Sequence, residues 1–269
     1  MNKKMSLINI LILLLSGYLI ITFALYFFQR NLLYYPSVNN YSGEELDVSV
    51  EKVKIKTEDD IELLSWYHNK DSENYKTILF LHGNAGTLEN RIYKINHLKN
   101  MNVNFLIIAW RGFSGNKGKP TEKGLYEDAK SAIRWLKNKG IKEENIIIYG
   151  ESLGTGVVIE LAQKKLYKSV ILEAPFTSIP DVAQKMYPIY PVKYLTWDKF
   201  DNLSKINNLI SPLLVLHGKK DEVVPFKMGK KIFEKYNNKK DNVFIDEAMH
   251  NNLYEYGIAK DIMEFINKN

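Results

Sequence analysis

The sequence predicts a doubly wound α/β fold, one mostly parallel eight-stranded sheet with helices on both faces, preceded by a single transmembrane helix. Three observations carry this. Short, nearly continuous runs of Ile, Val, Leu and Phe recur along the chain, as strands buried on both faces of a parallel sheet do. Helical stretches alternate with these runs after an antiparallel start. Residues Leu7–Phe28 form a run of 22 positions without a charge. With 269 residues, 45% of them hydrophobic, the rest of the chain can bury one substantial core, and no internal repeat or low-complexity tract divides it.

The N-terminal run comes first. As a helix it would measure about 33 Å, enough to cross a hydrocarbon layer of about 30 Å. A cleaved signal peptide has an apolar region of only about 7–15 residues and a small-x-small site after it. Thr22-Phe23-Ala24 and Phe27-Phe28-Gln29 do not supply such a site, so residues 1–29 read as an uncleaved membrane anchor through residues 7–28. Lys3 and Lys4 precede the run and Arg30 follows it. The positive-inside rule then predicts a cytoplasmic N-terminus and an extracytoplasmic domain. Residues 30–49 form a connector, in which Tyr34-Tyr35-Pro36 suits either the membrane interface or packing on the domain, and residues 50–269 form the α/β domain.

Within that domain Val50–Thr57 and Ile61–His68, joined by Glu58-Asp59-Asp60, read as an antiparallel hairpin. Strands follow at Thr77–His82, Val103–Trp110, Asn145–Tyr149, Ser169–Glu173, Pro212–His217 and Asn242–Ile245. Helices are expected over Leu88–Lys99, Glu122–Lys139 with Gly140 as its stop, Thr155–Lys165, Lys227–Tyr236 and Leu253–Ile266. The stretch Ser178–Ser211, with Pro180, Pro188, Pro191 and several aromatics, reads as irregular. It is too short for an independent lid domain and long enough to form one wall of a pocket, with most of its aromatics packing.

Composition excludes several functions. The formal charge is +6, but with Lys3, Lys4 and Arg30 set aside basic residues exceed acidic ones by only 3. They are scattered singly or in pairs, which is not the concentrated basic face of a nucleic-acid-binding protein. The chain has no cysteine, which rules out a thiol nucleophile, disulfides, a cysteine-based metal site and a lipoprotein-type acylated cysteine.

The chemistry concentrates at Gly150-Glu151-Ser152-Leu153-Gly154, between the Asn145–Tyr149 strand and the apolar Val157-Val158-Ile159. Gly-x-Ser-x-Gly between a buried strand and a helix is a nucleophile elbow. A serine there needs a carboxylate and then a histidine later in the chain. His250 follows the last strand, in a loop where a neutral imidazole can take the Ser152 proton. His217 ends a strand and reads as a turn residue, whereas His68 and His97 read as structural or exposed. Asp221, in the loop after the seventh strand, is the carboxylate candidate that would hold the imidazole. Glu222 and Asp246 are its rivals. An oxyanion hole would use the N–H of Leu153 and that of Asn84 or Ala85 in His82-Gly83-Asn84-Ala85-Gly86, with His82 organising that loop. No cofactor or metal is required.

These residues, with Trp110-Arg111-Gly112-Phe113-Ser114-Gly115 and Gly124-Leu125-Tyr126-Glu127-Asp128, resemble the α/β-hydrolase superfamily. More narrowly they resemble its serine aminopeptidase-like branch, and within it small single-pass membrane-anchored hydrolases related to protein depalmitoylases. The similarity covers nearly the whole chain, including Leu32-Leu33-Tyr34-Tyr35-Pro36. It departs at Ala109-Trp110, where related chains often carry Asp-Tyr before Arg-Gly. Arg111 is expected to pair with Asp128 as a structural bridge. The resemblance implies a serine hydrolase of ester or thioester substrates, acylated and membrane-associated ones among them. A peptidase on the same Ser152-Asp221-His250 set is one rival reading, and a catalytically silent interaction protein is another. A complete set of three argues against the silent one.

Overall fold

The computed structural model describes residues 6–37 and 46–269. Lys3 and Lys4, on which the orientation reading rests, and residues 38–45 of the connector lie outside the described residues. In chain order the elements are α1 (Leu7–Leu33), β1 (Tyr35–Pro36), β2 (Glu51–Lys56), β3 (Glu62–His68), β4 (Lys76–Leu81), β5 (Ala85–Gly86), α2 (Ile92–Leu98), β6 (Val103–Ile108), α3 (Glu122–Asn138), β7 (Ile146–Glu151), α4 (Leu153–Ala162), β8 (Ser169–Glu173), α5 (Ile179–Met186), α6 (Val192–Leu195), α7 (Asn202–Lys205), β9 (Leu213–Gly218), α8 (Phe226–Lys235), β10 (Lys240–Ile245) and α9 (Ile258–Lys268).

Eight strands make one sheet in the order β2-β3-β6-β4-β7-β8-β9-β10. Only β2–β3 and β3–β6 are antiparallel; all other neighbours are parallel. This is the expected architecture. The central strands bury both faces because their side chains alternate between two helical layers. On β4, Leu79 and Leu81 join the cluster packed under α3, α4 and α8, whereas Ile78 and Phe80 join the one under α2 and α9. Each such side chain removed from water contributes about 1.5–3 kcal/mol.

Local signals account for most helix ends. Thr121 caps α3, its hydroxyl accepting from the Gly124 N–H, and Gly140 follows α3 at φ +86°, a left-handed conformation that favours glycine. The helix expected over Leu253–Ile266 is interrupted: Gly257, at φ +83°, separates a 3₁₀ turn over Leu253–Tyr256 from α9. The stretch Ser178–Ser211 is more ordered than its prolines suggest, since it holds α5, α6 and α7. Pro180 opens α5 in the first turn, where a missing N–H costs nothing, and Ser178 caps the helix by accepting from the Asp181 N–H.

Among the described residues α1 is the one helix long and apolar enough to cross a membrane. It continues past the charge-free run to Leu33, and its last turns lie on the domain: Arg30 pairs with Asp198 at 2.8 and 3.1 Å. Tyr34 is buried and its hydroxyl donates to Asp198 at 3.1 Å. Tyr35 and Pro36 then pair, parallel, with Ala85 and Gly86 of β5. Of the two placements open to Tyr34-Tyr35-Pro36, the structure shows packing on the domain.

Candidate active site

The parallel strands deliver their following loops to one edge of the sheet, the C-terminal edge where open α/β sheets place their sites. Ser152 leaves β7, Asp221 leaves β9, His250 leaves β10 and Asn84 leaves β4. Ser152 sits at φ 50° and ψ −116°, a conformation that side chains other than glycine rarely adopt, costing about 1–3 kcal/mol. The flanking glycines make this turn possible. A Cβ on Gly150 would lie 2.7 Å from the Gly154 carbonyl, and one on Gly154 would lie 2.0 Å from the Leu81 carbonyl oxygen. Both neighbours are backbone and cannot yield.

The three predicted side chains are brought together. His250 Nε2 lies 3.1 Å from Ser152 Oγ, and His250 Nδ1 lies 2.7 Å from Asp221 Oδ2. The ionised Asp221 can only accept, so Nδ1 carries the proton and Nε2 faces the serine as an acceptor. The other oxygen, Asp221 Oδ1, accepts from the N–H groups of Val223 at 2.9 Å and Val224 at 2.8 Å. Burial alone would push Asp221 up. Hydrogen bonds from His217 and His250, the charge of His250 and the Val224 amide together hold it well below the usual carboxylate range. Of its rivals, Glu222 is exposed and Asp246 pairs with Lys219 at 2.5 Å.

His217 is the residue that sequence reasoning misplaced. It is a fully buried strand residue, its Nε2 3.0 Å from the Val224 carbonyl and 3.3 Å from Asp221 Oδ2. Both neighbours are acceptors, so Nε2 holds the proton, and Nδ1 has no hydrogen-bond partner among the described residues. Its place four residues before Asp221 is all that the sequence shows of this pairing, and the spacing alone does not fix it.

The expected oxyanion groups flank the serine. Leu153 opens α4, so its N–H lies in the first turn, where no intrahelical acceptor exists. The Asn84 loop is fixed from outside: its carbonyl accepts from the Tyr35 N–H at 2.8 Å and its side-chain amide donates to the Leu33 carbonyl at 2.7 Å. His82 is fully buried behind it. Its Nδ1 lies 2.8 Å from the Gly83 carbonyl, and Nε2 accepts from the Trp110 N–H at 3.4 Å. Burial, with the nearby Arg91 charge, brings its pKa down to about 3, so it stays neutral.

Beneath the serine lies an ionic network whose pairings no local pattern announces. Glu151 pairs with Arg91 at 3.0 Å and with Lys94 at 3.4 Å. Lys94 also binds Glu173 at 2.6 Å, which accepts from the Tyr149 hydroxyl at 2.5 Å. Burial pushes the Glu151 carboxyl up, but Arg91 and Lys94 outweigh it and hold the group ionised. Arg111 binds Asp128 through Nε at 2.8 Å and Asp59 through Nη1 at 2.7 Å. This is the structural bridge expected, with a second carboxylate added.

Known proteins share sequence and fold with this chain. The sequence model of the prolyl oligopeptidase family matches residues 111–252, a span that contains Ser152, Asp221 and His250. An uncharacterized protein of Mycobacterium tuberculosis is 30% identical over 252 residues, covering 93% of this chain and 89% of that one. The chain belongs to the α/β-hydrolase superfamily. The hydrolase is also 37% identical over 183 residues to the human alpha/beta hydrolase domain-containing protein 17B, covering 67% of this chain and 62% of the human one. Its fold is that of the Pyrococcus furiosus esterase Pf2001, with a TM-score of 0.72 over 88% of this chain and 98% of that one at 21% identity.

Proposed function

We propose that this hydrolase is a membrane-anchored serine hydrolase that cleaves carboxylic ester or thioester bonds through an acyl-enzyme on Ser152. The observation that carries the reading is the unbroken hydrogen-bonded line from Asp221 through His250 to Ser152, at 2.7 and 3.1 Å. Ser152 Oγ attacks the carbonyl carbon as His250 Nε2 takes its proton. The tetrahedral oxyanion is stabilised by the N–H of Leu153 and one from the Asn84 loop. The intermediate then collapses, and the alkoxide or thiolate leaves with the proton from His250. Water, deprotonated by the same imidazole, releases the acid. Asp221 holds the tautomer and stabilises the imidazolium. Anchoring rests on the length and apolarity of α1.

Two measurements test this: hydrolysis of short p-nitrophenyl esters and labelling of Ser152 by a fluorophosphonate. Both are expected for the full chain and are lost in Ser152→Ala. Labelling that persists in the variant, or a wild type that neither turns over nor labels, overturns the reading. The match to the prolyl oligopeptidase family favours a second reading, a peptidase on the same three residues. Aminoacyl-naphthylamide cleavage at rates comparable with esters would favour it.

A further inference from the structure

The chain from Ile179 to Asp198 lies along the C-terminal half of α1 and reaches far up it. The Tyr18 ring stacks on Tyr190 with centroids 5.1 Å apart, and the Tyr18 hydroxyl donates to the Ile189 carbonyl at 3.1 Å. Tyr26 meets Trp197 edge-on at 5.1 Å. Gln29 accepts from the Trp197 N–H at 2.7 Å and donates to the Leu195 carbonyl at 3.2 Å. Arg30 closes the series on Asp198. From Tyr18 to Arg30 is about 18 Å of helix, so a helix that spans the bilayer carries the Pro188–Tyr190 tip well into it. Among the outward side chains, Met186, Ile189 and Tyr194 are 65%, 70% and 89% exposed and suit that solvent, while Lys185 and the Lys193–Asp181 pair are the charged groups beside them; such an apolar cluster on a water-facing surface would mark an interaction site.

Between α1 and this segment runs an open apolar cleft, walled by Leu25 and Leu33 on one side and by Ile179, Val182, Met186 and Leu195 on the other. Polar groups on its lining are mostly engaged with one another, as Gln29, Arg30 and Asp198 show. What remains is a hydrocarbon surface that offers water almost no partner. Two of its walls, Leu33 at the end of α1 and Ile179 at the start of α5, are joined by hydrogen bonds and short connections to the loops that flank the serine. Leu33 accepts the amide of Asn84. Ile179 follows the turn after β8, whose last carbonyl, Glu173, accepts the Ser152 N–H at 2.8 Å.

We propose that this cleft is a lateral binding site for one long acyl chain of a bilayer-resident ester or thioester, with the anchor helix itself as one wall. The acyl chain moves from lipid to protein hydrocarbon without crossing water, and the anchor is a working part of the site. The proposal rests on the anchored serine hydrolase reading above.

The test uses the full chain in phosphatidylcholine nanodiscs. Ala183→Trp places an indole in the cleft from α5 and Leu25→Trp places one from α1, so one variant decides if the other misfolds. The ratio of hexadecanoate to butyrate p-nitrophenyl ester hydrolysis is expected to fall at least tenfold in each. Independently of catalysis, a diazirine-bearing hexadecanoic acid photolysed with Ser152→Ala is expected to label residues 25–33 and 179–195, and Ala183→Trp to abolish the label. An unchanged chain-length ratio in a folded variant, or labelling spread over residues 7–24 alone, overturns the cleft. A wild type without butyrate hydrolysis overturns the serine hydrolase reading instead, and the crosslinks still decide whether the cleft binds an acyl chain.

Discussion

Asp221 spends both carboxylate oxygens, one on two backbone N–H groups and one on two histidines. Asp221→Asn would turn an NH₂ toward the Nδ1–H of His250 or force the other tautomer, and kcat is expected to fall about 10⁴-fold with little change in fold. Ser152→Ala should cost about 10⁶-fold in ester hydrolysis. Because Asp221 is held well below the usual range, it stays ionised wherever the domain is folded. Asp221 should therefore add no ionisation of its own to the acid limb of kcat/KM, which is expected to have unit slope; a slope of two would bring Asp221 into it. Stability follows another carboxylate. Arg111 holds Asp59 at about 2, below its free value of about 3.9. That contribution is full above pH of about 4 and is lost as pH falls through the folded value. Asp59→Asn should flatten acid unfolding in that window, read by circular dichroism. Ser152, Asp221 and His250 were legible in the sequence because chain order and strand ends constrain where such groups stand. The bond from His217 to Asp221 was not, because it depends on how residues 218–224 turn back on the strand.

At the scale of elements, what is buried between them decides stability. Lys94 is buried, stands on the same face of α2 as Leu98, and answers two carboxylates at the ends of β7 and β8. Lys94→Ala leaves those charges buried and underpaired, a loss of about 3–5 kcal/mol measurable by urea unfolding. Gly154→Ala is expected to yield no folded protein, since its methyl would lie 2.0 Å from the Leu81 carbonyl oxygen; a soluble variant with native thermal stability would disprove the packing argument. The sheet was readable from its apolar runs, because strands buried on both sides show composition rather than periodicity. The helices of Ser178–Ser211 escaped because Pro180 was weighed as a breaker when it stands at a helix start, where proline is favoured. The partners of Arg91 and Lys94 lie 57 to 79 residues away, and only the fold pairs them. A lysine among Ile92, Ile95 and Leu98 was the visible clue.

For the whole molecule, orientation is open to a clean measurement, because the chain has no cysteine. Lys142→Cys, at a side chain 74% exposed, should react with a membrane-impermeant maleimide in intact cells if the domain is extracytoplasmic; labelling only after lysis would put it in the cytoplasm. The sequence suggests an anchor, a connector and a domain as successive pieces, and residue-by-residue hydropathy cannot reveal that the first and last touch. The structure ties them through Arg30 to Asp198, Gln29 to Trp197, and Tyr35-Pro36 to Ala85-Gly86. The last of these bonds has a mechanical consequence. A spanning helix answers a thinner bilayer by tilting and a thicker one by drawing the membrane in around it, and here the far end of the lever is hydrogen-bonded to the Asn84 loop beside Ser152. Turnover of one fixed short-chain ester should therefore vary across nanodiscs of graded lipid length, with an optimum where the 27-residue helix fits without tilt. A flat response would mean that the loop is insulated from its tether. With such an optimum, the helix acts as a gauge of the membrane it sits in.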